Sequence, residues 1–193
     1  MTDERRDASL SARLFDRLSN RETCSNSEEN RISEPITEEL KRDFAVHEAS
    51  HVVIAHHLQV IFTKTSIKYL NKEHGGKTEY CPNQEHNGET WAKVALAGPV
   101  GEKECRPESD WKIHGGQDFV DAKKQVMPPM WEWDSELSKF CEEAERRLKP
   151  IKGEVKRMVG QYKNMILNVA EHLMQSGELS YEDVKNMIDG LNR

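Results

Sequence analysis

The sequence predicts a mainly α (α+β) fold, a helical domain with one small β-hairpin or sheet and a C-terminal helical bundle. Two observations predict it. Apolar residues between 37 and 190 recur mostly at helical spacing, and the stretch that alternates, within residues 63–81, is short, polar and split by a Gly-Gly turn. The composition agrees: 193 residues, 36% hydrophobic and 32% charged, suit one soluble domain with a tail.

Residues 1–36 are rich in Ser, Asn, Arg and Glu around one apolar island, Leu10, Leu14, Phe15 and Leu18. The island has helical spacing, but its flanks offer too little apolar surface to offset the entropy of ordering them. A disordered polar tail with a transient helix is expected, a docking role being its functional alternative. Order is expected after Pro35, where Thr37 caps a helix with Glu38 and Glu39 in its first turn, running to about Gln59. Thr63 to Asn71, with Ile67 and Tyr69 alternating, and Lys77 to Cys81 read as two strands flanking His74-Gly75-Gly76. A helix then fits Glu89 to about Lys103, bent or interrupted at Pro99, and another starts near Asp118 and ends at Pro128-Pro129. From Asp134 the helical period returns through Leu137, Phe140, Cys141, Ala144 and Leu148. Pro150 and Gly153 are expected to break or bend the chain before Val155, Met158, Val159, Tyr162, Ile166, Val169, Ala170 and Leu173 resume it. Gly177 closes that segment, and Ser180 with Asp183 opens a last helix carrying Val184, Met187 and Ile188. The folded domain is therefore expected over residues 37–190.

Charge narrows the function. Lys+Arg 28 against Asp+Glu 34 leaves a formal charge of -6, so nothing electrostatic favours a nucleic-acid or anionic-membrane partner. The longest apolar-leaning run, Val52 to Phe62, holds two histidines and a glutamine and is too short to span a bilayer, and no apolar signal core follows the N-terminus. Cys24, Cys81, Cys105 and Cys141 are far apart and form no C-x-x-C pair, which reads as reduced thiols in a cytoplasmic protein.

The informative segment is His47-Glu48-Ala49-Ser50-His51 within an apolar helical stretch. At about 100° per residue, His51 lies roughly 40° around from His47, so both imidazoles leave one face a turn apart and can share a tetrahedral Zn²⁺. Glu48 stands about 100° off that line, placed to reach water beside the metal without becoming a ligand. Leu40, Phe44, Ile54 and Leu58 share the histidines' face, so the pair points inward. The bland alternative is two helix histidines satisfied by polar neighbours.

A catalytic zinc needs a third protein ligand and an open fourth position. The candidates are Glu102 or Glu104 after the Gly-rich helix, and Asp118 or Asp121 after Gly115-Gly116; Asp118 reads equally well as a helix N-cap, and spacing alone does not choose. His56 and His57 lie off the ligand face and read as surface residues, with an indirect role at the site as the alternative. His74, His86 and His114 fall in expected loops, where a solvated imidazole is the usual finding; for His114, near the presumed ligand turn, lining the active site is the alternative. Met127 to Trp133 reads as a core plug more than a lid, and Glu142 to Arg147 as a solvated helix face.

His47-Glu48-Ala49-Ser50-His51, then Ala95 to Glu102, then His114-Gly115-Gly116-Gln117-Asp118-Phe119-Val120-Asp121-Ala122 resemble, in order and interval, the peptidase domain of FtsH-type zinc metalloproteases over about residues 37–190. The resemblance implies a helical metallopeptidase domain in which His47, His51 and Asp118 hold Zn²⁺ and Glu48 is the general base. It also implies hydrolysis of peptide bonds in peptides or unfolded proteins. An extended substrate is expected to add to the edge of the Ile67 or the Tyr80 strand through backbone hydrogen bonds. The chain departs from the family pattern at Ser50, where Gly is usual, and at Ala97 to Glu102, which replace Gly-Gly-Arg-x-Ala-Glu. It has no G-x-x-x-x-G-K-S/T loop, so a stand-alone, ATP-independent relative is expected. The alternative is a non-catalytic zinc-binding regulatory or adaptor protein that keeps the fold. The expected partner is a peptide or unfolded-protein substrate, with no nucleic acid and no membrane; oligomeric state and the need for a separate unfoldase are open.

Overall fold

The computed structural model describes residues 36–68, 75–127 and 137–191. The expectations for the tail, His74, residues 128–133 and Cys24 lie outside the described residues. Within them the chain is mainly helical with one small antiparallel sheet. In order, the elements are α1 (Glu38–His57), β1 (Phe62–Ser66), β2 (Lys77–Tyr80), α2 (Gly88–Cys105), the short α3 (Trp111–His114), α4 (Gly116–Val126), α5 (Leu137–Ser176), β3 (Glu178–Ser180) and α6 (Tyr181–Leu191). No helix among the described residues is long and apolar enough to cross a membrane.

Helix α1 is the centre of the domain. Thr37 caps it by accepting the Leu40 N–H at 3.1 Å, and Asp43 through Ala55 are all buried because α2, α5 and the sheet pack around it. An element so enclosed must be largely apolar, and the polar residues it does bury, His47, Glu48, Ser50 and His51, must find partners.

Three expectations are corrected. The sheet has three strands in the order β2-β1-β3, not a hairpin alone; Glu178–Ser180 is too short and polar to announce itself as a strand and is recruited by pairing Leu179 with Thr65. Strand β1 ends at Ser66 rather than running through Ile67, whose N–H instead reaches the Gly177 carbonyl at 2.8 Å. Of the bend or interruption expected at each proline, the interruption does not occur. Pro99 lies inside α2 and Pro150 inside the 40-residue α5, which passes Gly153 without a break. Each proline forgoes one backbone bond, a cost of about 3 kcal/mol. Along α5 that cost is offset by a continuous stripe, Leu148, Ile151, Val155, Val159, Ile166, Val169, Ala170 and Leu173, laid over α1 and α2. Pro150 stands on its exposed side, where water can reach the freed Arg146 carbonyl.

The other boundaries match closely. Gly177 ends α5 with φ +76°, a left-handed stop that glycine reaches without strain. Ser180 and Asp183 form a reciprocal cap on α6: the Asp183 carboxylate accepts the Ser180 N–H at 2.9 Å and Ser180 Oγ accepts the Asp183 N–H at 3.2 Å.

Candidate metal centre

Helix α1 presents His47 and His51 one turn apart on a buried face, with ring centroids 4.9 Å apart. Their tautomers follow from what holds Nδ1. His51 Nδ1 donates to the Val94 carbonyl of α2 at 2.8 Å, and His47 Nδ1 donates to Glu102 Oε2 at 2.9 Å. Both Nε2 atoms therefore face the space between α1 and α4, into which the first turn of α4 delivers Asp118. Its Oδ2 lies 2.8 Å from His47 Nε2 and 3.5 Å from His51 Nε2. The ligand atoms of these three residues lie within 4.8 Å of one another, a group that could hold a metal ion.

The electrostatics are those of two imidazoles between carboxylates. Burial disfavours charge on His47, but hydrogen bonds to Asp118 and Glu102 outweigh it and raise its pKa to about 10. His51 is raised too, its burial outweighed by the Asp118 charge, and Asp118 is in turn held well below the usual carboxylate range by the two imidazoles. The carboxylates thus set negative charge around the two imidazoles, which a divalent ion would answer.

The donor set fits zinc. Two imidazole nitrogens and a carboxylate oxygen are its usual ligands at catalytic sites, and ligands about 2.0–2.2 Å from a tetrahedral ion stand about 3.3 Å from one another. The observed 2.8 and 3.5 Å bracket that value. The approach of α2 fits as well. A Cβ on Gly98 would meet both Nε2 atoms, 2.5 Å from that of His47, so only glycine leaves the ligand atoms room.

Glu48 is 5% exposed and stands beside the cluster, not in it. Its Oε2 accepts a hydrogen bond from Thr78 Oγ1 of β2 at 2.6 Å, and Thr78 Oγ1 also lies 2.9 Å from Thr65 Oγ1 of β1. The Gly76 backbone packs directly on the Glu48 side chain. The carboxylate is thus steered from the sheet side while the histidines are steered from the α2 side.

The remaining candidates separate cleanly. Glu102, fully buried, is on the far side of His47 and accepts from His114 Nδ1 at 2.6 Å as well, so it orients His47 and stands outside the cluster that could hold a metal. Glu104 pairs with Lys156 at 3.0 Å, and Asp121 with Lys124 at 3.1 Å, both away from the cluster. His114 is not a solvated loop residue: its ring packs 4.6 Å from that of Phe44. His56 and His57, expected at the surface, are half-buried there against aromatic rings. His57 stacks on Tyr162 at 3.6 Å and 9°, His56 lies 6.1 Å from the Tyr181 ring, and burial lowers both pKa values. His86 edges onto Trp91 at 6.0 Å. The run from Glu142 to Arg147 is a solvated face, with Glu143 bound to both Arg146 and Arg147.

Sequence reasoning missed two residues. Thr78 gave no signal beyond lying in a strand. Tyr80, two residues on, has its ring edge-on to Trp91 at 5.4 Å, and loss of water together with the Glu48 and Asp118 charges pushes its phenol well above its ordinary pKa, so it stays a donor. No protein-family model matches this chain, and no curated protein matches it.

Proposed function

We propose that this chain is an ATP-independent zinc metalloendopeptidase of the FtsH-like type, acting on peptides or unfolded proteins. The observation that carries the reading is the convergence of His47 Nε2, His51 Nε2 and the Asp118 carboxylate, with Glu48 held beside them and outside the ligand set. Bound there, zinc would supply Lewis acidity, making water more acidic and a peptide carbonyl more electrophilic. Glu48 accepts the proton of the attacking water and passes it to the leaving amine. Its hydrogen bond from Thr78 leaves Oε1 to move that proton. The Nδ1 partners of the histidines, Glu102 and the Val94 carbonyl, keep the two imidazoles in place throughout.

Substrate is expected along β2. That strand is an edge, paired on one side with β1, and it carries Thr78, which touches the general base. An extended segment adding to it through backbone hydrogen bonds would run past Glu48 with little demand on side-chain identity. Strand β1, the alternative edge, lies in the middle of the sheet and has both sides paired. The 193 residues carry no phosphate-binding G-x-x-x-x-G-K-S/T loop, so the reading assigns them no ATP-driven step.

The experiment is zinc content together with casein degradation, without ATP, for the wild type and Glu48→Gln. Stoichiometric zinc in both, with cleavage lost only in E48Q, is the expected result. Zinc without cleavage in either would favour a non-catalytic zinc-binding adaptor, and no zinc after reconstitution would sink the site.

A further inference from the structure

The side chain with the least expected position is His114. It ends the short α3, four residues before Asp118, and its Nδ1 donates to Glu102 Oε1 at 2.6 Å while His47 Nδ1 donates to Glu102 Oε2 at 2.9 Å. One carboxylate with no exposed surface is therefore shared between the metal-facing His47 and a histidine outside the ligand cluster. Burial alone would raise the Glu102 pKa, but these two hydrogen bonds hold it down to about 2, so it is an anion.

A buried carboxylate needs both oxygens satisfied. Without the His114 donor, the Ser109 hydroxyl is what remains beside the carboxylate, and the group turns toward it or draws in water, taking Oε2 off the line of His47 Nδ1. The imidazole then loses the partner that fixes its tautomer and strengthens it as a ligand. The same bond ties the chain just ahead of Asp118 to α2, where Gly115 already packs against Pro99. We propose that His114 is a positioning residue for the metal centre: through the carboxylate it shares with His47, it sets how tightly the chain holds zinc. This rests on the metal-site part of the reading above.

The test is zinc affinity of the full chain by chelator competition, with folding followed by circular dichroism. His114→Leu fills the space beside Phe44 without a donor, His114→Asn restores an N–H two bonds from Cβ, the reach of Nδ1, and Glu102→Gln is made alone and combined with H114L. Loss of an outer partner of this kind typically weakens a metal site about 10–100-fold. H114L is expected to fall in that range, H114N to stay within about threefold of wild type, and the double variant to bind no more weakly than E102Q. Should H114L not fold, His114→Met, which also lacks an N–H donor, replaces it with the same expectation. Wild-type affinity in the donor-free variant, equal weakness in H114N, or additive losses in the double variant would each overturn the proposal. Because the readout is metal affinity, a chain that holds zinc but cleaves nothing would end the peptidase reading and leave this one standing.

Discussion

Replacing Gly98 by Ala should dismantle the metal centre without altering any ligand. In an ordinary helix interior this change gains roughly 0.5–1 kcal/mol, because glycine loses more freedom on folding. At residue 98 the new Cβ would stand 2.5 Å from His47 Nε2 and 2.8 Å from its Cδ2, with His51 Nε2 closer still, whereas ordinary contact begins at 3.4 Å. Both imidazoles, or α2 itself, must retreat by about 1 Å, against a metal-ligand tolerance of about 0.2 Å. Overpacking of this size costs about 1–3 kcal/mol and reverses the sign of the helix gain. Zinc affinity, measured by chelator competition, should drop by roughly 100-fold or more, the upper end of what losing a supporting partner costs. Gly160→Ala on α5, where nothing stands within 4 Å of the added Cβ, is the control. It should raise stability by about 0.5–1 kcal/mol and leave zinc binding alone. A Gly98→Ala variant that melts no lower than wild type and binds zinc within about threefold would refute the close approach of α2 to the two histidines.

Gly101→Ala should destabilise the fold by about 1–3 kcal/mol in urea melts, because its Cβ would run into Ser50 Oγ; Ser50→Gly should recover most of the loss, and purely additive effects would mean that the two positions do not touch. His57→Phe keeps the stack on Tyr162 and removes a histidine whose pKa burial lowers. A depressed histidine contributes stability that is present above its unfolded value of 6.5 and lost as pH falls through that value toward the folded one. Urea melts from about pH 7.5 to about pH 5 should therefore show a shallower acid-side loss in His57→Phe than in wild type, and identical slopes would dismiss burial as the cause.

What the sequence disclosed was local. The caps of Thr37 and of Ser180 with Asp183, the left-handed Gly177 and the face shared by His47 and His51 each follow from residues a few positions apart, and each is where it was expected. What it concealed depends on partners far along the chain. β3 exists because β1 offers it an edge, and α5 crosses Pro150 because the stripe on either side is buried against other helices. One face of the His57 ring is hidden from water because Tyr162 of α5 stacks on it. Spacing could not choose between Glu102 and Asp118 for the same reason, since they approach opposite nitrogens of one imidazole, and that choice belongs to how α2 and α4 pack around α1.

The glycines show how such a centre is specified by residues that carry no chemistry. Gly98 and Gly101, three apart on α2, face His51 with His47 and Ser50, and Gly76 lies against Glu48 from the sheet side. Each marks a place where the backbone approaches a polar side chain too closely for a Cβ, so the His-Glu-x-x-His segment is only half of the geometry. Gly101 does the same for Ser50: the bare backbone on α2 leaves room for the Ser50 side chain on α1. Ser50 Oγ donates to the Val46 carbonyl at 2.7 Å, so this buried hydroxyl is satisfied within its own helix. A side chain on one helix thus stands opposite a missing one on the other, and α2 can approach α1 as closely as the His47, His51 and Asp118 cluster demands, which is why a Cβ at 101 is felt at a distance from any of those three residues.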